Sequence, residues 1–439
     1  MLQKQSFFKS ISSKFSKYEA LLIGLSMLYF FKVLHQGEGD FSVYYGAAKA
    51  FRLREPIYCV DFPIGNHWCG YSYPPFFLAL LSPFTFLPLW LLDWFWLVLN
   101  LILLFRIFKL IIDFLEIKTD FNEKQTRLWI ALTLLFTVRF ILYNYDMSQS
   151  NIVLLWGSLE SLFLIHRGRW LLGSLILATV ISVKLIPLVF IPYLLYRNHW
   201  KSALATVGFV LFLNVTPSVY YGFDAYFLEL KTWREVVNFT TPEFTVFQNQ
   251  AEESIHSLSA FVPAFLNNEI FRYNIKRNIV DMNYQEIGLA LNLFRLLFIL
   301  LSLLFLRTLP FKKVENKQQI FFEISYLFLA AVLIFPHQQK HGFVILLPAM
   351  SYVLYFILKQ KNLEQTLKSA TSLKFKEMSP FLKKIIGLMF VVWLLTTAST
   401  DGIVGRDLFD LGQYFKLITW GTMLLMIPLS MCRVEKLDF

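Results

Sequence analysis

The chain has 439 residues, 56% hydrophobic and 18% aromatic, with 47 Phe, 20 Tyr and 11 Trp but only 16% charged residues. That is too little charge to cover a soluble domain of this length, so the composition excludes a water-soluble globular protein. The net charge of +11 needs no nucleic acid to explain it, because retention of basic residues against anionic lipid accounts for the excess.

The apolar residues fall in runs long enough to cross hydrocarbon as helices, which takes about 20 residues each. They predict an all-α polytopic membrane protein of about a dozen crossings, forming a single domain over 1–439. The first run, Tyr18 to Leu34, follows Lys4, Lys9, Lys14 and Lys17 and lacks a small-residue cleavage site, so it reads as a retained anchor. A polar loop over 35–73 comes next, then a continuous apolar block over 74–112 that holds one crossing plus an interfacial helix, or more. Further spans are expected near 128–143, 151–166, 170–183, 185–196, 201–217, 287–307, 320–335, 342–358, 384–400 and 411–431. Between them, 218–286 is the longest polar stretch, and it is rich in aromatics.

Basic residues near span ends mark the cytoplasmic side. They collect at the amino terminus, Lys109 to Arg127, His166 to Arg169, Arg197 to Lys201, Lys312-Lys313, Lys359 to Lys384, and Arg433 with Lys436. With 74–112 counted as a single net crossing, alternation puts both termini in the cytoplasm and leaves 35–73, 144–150, Lys184, 218–286, 336–342 and 401–410 on the outer face. Polar groups gathered on one face of an apolar protein point to an active site or transport entrance there. The expected location is a bacterial inner membrane.

The 35–73 loop carries the densest chemistry. Asp40 sits just past the first span between glycine-rich and aromatic residues, in the run Glu38-Gly39-Asp40-Phe41-Ser42-Val43-Tyr44-Tyr45. An Asp at such a position is ordinarily a helix cap or a solvated charge; read as chemistry, it is a general base, with Glu38 as the alternative. The loop closes on Tyr71-Ser72-Tyr73-Pro74-Pro75, whose paired prolines set an extended approach to the next span. Cys59 and Cys69 share this loop, and a disulfide or two free thiols are both open readings.

Asp40 with Tyr44-Tyr45 and the later Tyr73-Pro74-Pro75 resembles the first outer loop of glycosyltransferase family 87. Four more stretches fit that family in order. Ser148-Gln149-Ser150-Asn151 stands where the family usually has Gly-Gln-x-Asn, and Lys184-Leu185-Ile186-Pro187 matches its Lys-x-x-Pro corner. Phe247-Gln248-Asn249-Gln250, then Ser254 and Ser257-Leu258, resembles its Asn-Gln-Ser-Leu segment, interrupted here by Ala251-Glu252-Glu253. Pro336-His337-Gln338-Gln339-Lys340-His341 stands where members carry a polar or histidine-bearing loop before Leu347-Pro348-Ala349.

The resemblance covers about 35–350 and implies a GT-C type fold with an outward-facing, loop-lined active site. It implies a hexosyltransferase, of the mannosyl kind, that uses a polyprenyl-phosphate sugar donor and a glycan or glycolipid acceptor, by inverting single displacement. On this reading Asp40 is the catalytic base, and Lys184, His337, Lys340 and His341 hold the donor phosphate. Gln149, Asn151, Asn249, Gln250, Tyr44 and Tyr73 contact substrate. For Lys184 the plainer account is a side chain that snorkels to headgroups; for the amides it is solvation. No third ligand stands beside the histidine pair, so no metal is expected, and no cofactor either. The chain has no phosphate-cradling glycine loop and no dinucleotide fingerprint. The rival from another class is a transporter or flippase of lipid-linked sugar, though no internal repeat supports it.

Overall fold

The computed structural model describes residues 39–64, 67–237, 253–267, 275–306, 310–360 and 378–434, with the backbone alone over 63–69. The expected first span, Glu38, Asn249 and Gln250 lie outside the described residues.

The described chain is helical throughout, apart from one two-stranded antiparallel hairpin. In chain order come α1 (Phe41–Leu53), β1 (Asp61–Ile64), β2 (His67–Gly70), α2 (Pro75–Leu81), α3 (Leu89–Leu115), α4 (Glu123–Asp146), α5 (Asn151–His166) and α6 (Trp170–Val183). They are followed by α7 (Phe190–Tyr196), α8 (Trp200–Val215), α9 (Phe223–Val236), α10 (Leu258–Leu266) and α11 (Tyr284–Leu306). The last are α12 (Lys317–Ile334), α13 (Leu347–Lys359), α14 (Pro380–Trp393), α15 (Arg406–Tyr414) and α16 (Leu417–Met431).

Seven helices among the described residues are long and apolar enough to cross a membrane, or eight if α15 and α16, bent by 66° at Phe415–Lys416, count as one. The chain is an integral membrane protein. Its packing has an inner and an outer layer. The Lys340–Lys359 span is buried along its whole apolar window, and α12 nearly so, whereas α11 buries only 22% of its window and turns leucines such as Leu289, Leu293 and Leu300 outward. Such faces are stable only where the surroundings are apolar, because leucine surface is costly in water, and a helix needs no water to satisfy its interior backbone groups.

Four of the expected spans take a form that hydropathy alone does not distinguish. The 74–112 block is a short helix, a 3₁₀ turn at Ser82–Phe84 and then one long crossing, α3. The segments read as spans at 151–166, 170–183 and 185–196 are helices of 16, 14 and 7 residues, the last preceded by a 3₁₀ turn. Each has a polar side chain buried in the protein at one end: Asn151 opens α5, Lys184 follows α6 and Arg197 follows α7.

One such anchor is Arg197, at the end of α7. Its guanidinium pairs with Glu323 of α12 at 2.5 Å, both side chains being almost wholly buried, and Tyr193 donates to the same carboxylate at 3.0 Å. A cation that sequence assigns to the membrane surface is therefore spent on an internal pair. The described part of the polar loop 35–73 carries α1 and the hairpin, while the described part of 218–286 contributes the amphipathic α9 and the short α10. Cys59 carries a free, exposed thiol, and the Cys69 side chain lies outside the described residues.

Candidate active site

Four separate stretches of chain meet where α1, the α4–α5 turn, the α6–α7 corner and the loop before α13 converge. They enclose a cavity of about 530 Å³ lined by Asp40, Tyr44, Tyr73, Gln149, Lys184, His337 and His341, with walls from Trp233 and Val236 of α9.

Asp40 is placed by backbone contact. Its amide N–H donates to the Met147 carbonyl at 3.0 Å. Gly39 permits that approach, since a Cβ there would lie 2.6 Å from the Met147 carbonyl carbon. Asp40 precedes the first turn of α1 yet makes no side-chain cap bond. The capping account of this aspartate therefore does not hold. Its carboxylate instead accepts a hydrogen bond from the Gln149 side-chain amide.

The turn that carries Gln149 is tightly built. Ser148 takes a left-handed backbone, φ 46°, at the position where the family pattern has glycine. Its carbonyl accepts from Trp96 Nε1 at 2.9 Å, and the Gln149 N–H donates to the Asn144 carbonyl at 2.9 Å. On the far side of the amide, Tyr44 Oη donates to Gln149 Oε1 at 2.8 Å. Burial raises the Tyr44 phenol well above its ordinary value, reinforced by Tyr73 and Asp40, so it remains a protonated donor.

The cationic wall is organised by Asn151, which stands behind the lining rather than in it. Lys184 Nζ donates to Asn151 Oδ1 at 3.1 Å, and Asn151 Nδ2 lies 3.0 Å from His341 Nδ1. An ammonium only donates, so the amide oxygen must face Lys184 and the amide nitrogen must face His341. His341 Nδ1 is then an acceptor and the ring carries its proton on Nε2, as a neutral donor. The ring stacks on Tyr143 with centroids 6.1 Å apart. Lys184 is 8% exposed and its ammonium also lies 5.2 Å from the Tyr73 ring. It turns into the protein rather than snorkelling out.

The six-residue run 336–341 does not act as one cluster. His337 is exposed and lines the cavity, but Lys340 points elsewhere, its ammonium 4.8 Å from the Tyr143 ring and 4.4 Å from the Phe409 ring. Among the described residues no group of three or more His, Cys, Asp and Glu side chains is placed to hold a metal.

Sequence reasoning missed α9. Trp233 Nε1 donates to the Ser72 carbonyl at 3.1 Å, and Glu229 accepts from the Ile57 and Tyr58 amides at 3.3 Å each. These bonds dock α9 against the 35–73 segment and close one side of the cavity. The only signal was the aromatic content of 218–286, which does not say which face turns inward.

A helical membrane bundle that gathers one carboxylate among its described lining residues with buried amides and cations around a cavity has the make-up of a membrane enzyme, and the class is that of the membrane glycosyltransferases. A family model of glycosyltransferase family 87 matches residues 71–336, and the chain belongs to that family. The matched segment contains Tyr73, Gln149, Asn151 and Lys184; Asp40 precedes it, and His337 is the first residue after it. No curated protein matches the chain.

Proposed function

We propose that this glycosyltransferase moves a hexose, mannose, from a polyprenyl-phosphate donor to a glycan or glycolipid acceptor on the outer face of a bacterial inner membrane. The observation that carries the reading is the charge division of the cavity. Asp40 is the one carboxylate among the described lining residues, and it shares the space with Lys184, His337 and His341. Each step of an inverting displacement has a group suited to it.

Asp40 accepts the proton of the acceptor hydroxyl as that oxygen attacks the anomeric carbon. The bond from that carbon to the phosphate oxygen breaks on the opposite face, and the phosphate leaves with the electron pair. Lys184 and the Nε2–H of His341 stabilise the growing charge, and His337 contributes from the exposed rim. Lys340 supports this wall from one layer behind, through Tyr143. The α9 side, with Trp233, receives the acceptor, and Asn249 and Gln250 contact substrate from the same stretch. Glu38 remains the alternative base.

Incubating purified protein with radiolabelled polyprenyl-phosphate mannose and a panel of acceptor glycolipids tests the reading. Label should pass to one acceptor class with inversion at the anomeric carbon. Transfer only from another lipid-linked sugar would overturn the mannosyl assignment. Movement of labelled lipid across a vesicle bilayer without transfer would restore the transporter reading.

A further inference from the structure

We infer that Gln149 is the positioning residue that orients the Asp40 carboxylate for proton abstraction, with Tyr44 fixing the direction of the Gln149 amide. The inference rests on the reading of Asp40 as the base, but the geometry behind it stands independently. A carboxylate accepts hydrogen bonds and does not donate them, so the Gln149 nitrogen must face Asp40 and its oxygen must face Tyr44. The Tyr44 hydroxyl donates to that oxygen. The result is a one-way chain, Tyr44 to Gln149 to Asp40, each link polarising the next.

Tyr44 and Gln149 are each 1% exposed, so water does not compete with the bond between them. The turn beneath is held by Asn144, which accepts from the Gln149 N–H and donates to its carbonyl at 3.3 Å. Gln149 is thus fixed from its backbone outward, and Asp40 is fixed by Met147 one residue before the same turn. An amide locked at both ends sets the carboxylate plane before substrate arrives.

A donor to the charged carboxylate also lowers its proton affinity, and its removal must raise it. Tyr44, Tyr71, Tyr73, Lys184, His337 and His341 face the same cavity, and Asp93 is buried nearby on α3. All of these remain in Gln149→Met, and all but Tyr44 remain in Tyr44→Phe, so a displacement of the band lost in Asp40→Asn reports on the Tyr44–Gln149–Asp40 chain.

The test is pH-titrated infrared difference spectroscopy of the purified full chain, with the Asp40 carboxyl band assigned by its loss in Asp40→Asn. In Gln149→Met the midpoint of that band should move up by about one pH unit, because a bond to a charged group is lost. Tyr44→Phe should move it the same way by less, and it carries the test if Gln149→Met does not fold. In turnover, both variants should lose kcat with little change in donor KM. A carboxyl midpoint unmoved in Gln149→Met and Tyr44→Phe would overturn the positioning role even if activity falls. Full activity of Asp40→Asn would instead remove the base assignment, and the spectroscopic result would still stand or fall by itself.

Discussion

Lys184 reaches Asn151 across 3.1 Å, joining the corner after α6 to the first residue of α5, and the same amide continues to His341. Three motifs far apart in the chain thereby form one cationic wall.

Asn151→Ala leaves the Lys184 ammonium without its acceptor and frees the His341 ring to rotate. Losing a buried bond to a charged group should cost about 1–3 kcal/mol in donor use. Lys184→Ala and His341→Ala should act in the same direction. All three should lower kcat together with donor affinity, because the leaving phosphate gains charge at the transition state. Steady-state kinetics with each substrate varied separately decides it: a variant whose only defect is acceptor KM would place this wall at the other end of the reaction.

Ser148 holds φ 46° without being glycine. Ser148→Val would force a β-branched side chain into that conformation and should cost about 1–3 kcal/mol. Ser148→Gly should be neutral or stabilising, since relief of the left-handed penalty offsets the added freedom of the unfolded chain. Thermal melts in detergent measure both; equal loss in the two variants would show that the serine hydroxyl, not the backbone, matters.

Arg197 and Glu323 form a buried pair, closed by Tyr193. Arg197→Ala would strand a carboxylate in the bundle and should destabilise by about 3–5 kcal/mol. Replacing both partners, Arg197→Met with Glu323→Leu, should recover most of that loss, because neither charge is then left alone. Chemical denaturation of the two proteins would reveal it, and a double variant no better than the single would mean the pair is net stabilising.

Much of this arrangement was readable in the sequence. Lys184 stood out because a charge inside apolar sequence is costly and rarely idle, whereas Asp40 and the Gln149–Asn151 turn were marked by the resemblance to glycosyltransferase family 87. What stayed hidden was partnership. Nothing in the spacing of Gln149 tells whether its amide meets sugar or the Asp40 carboxylate 109 residues earlier. Lys340 and His341 are adjacent, yet one packs on rings and the other lines the cavity, because the 3₁₀ stretch Lys340–Leu346 turns neighbouring side chains to different faces. The helices after Asn151 read as crossings because hydropathy counts apolar residues without knowing whether protein or lipid covers them. Glu323, mid-run in an apolar segment, was the missed sign that α12 is interior.

Single-turnover transfer by Asp40→Asn, with donor binding measured on the same preparation, tests whether Asp40 is the base. The amide keeps the shape of the side chain and loses its basicity, so the chemical step should slow by about 10²–10⁴ while donor affinity and the thermal melt stay near native values. Full transfer by Asp40→Asn, with Glu38→Gln inactive, would contradict the account and move the base to the neighbouring carboxylate.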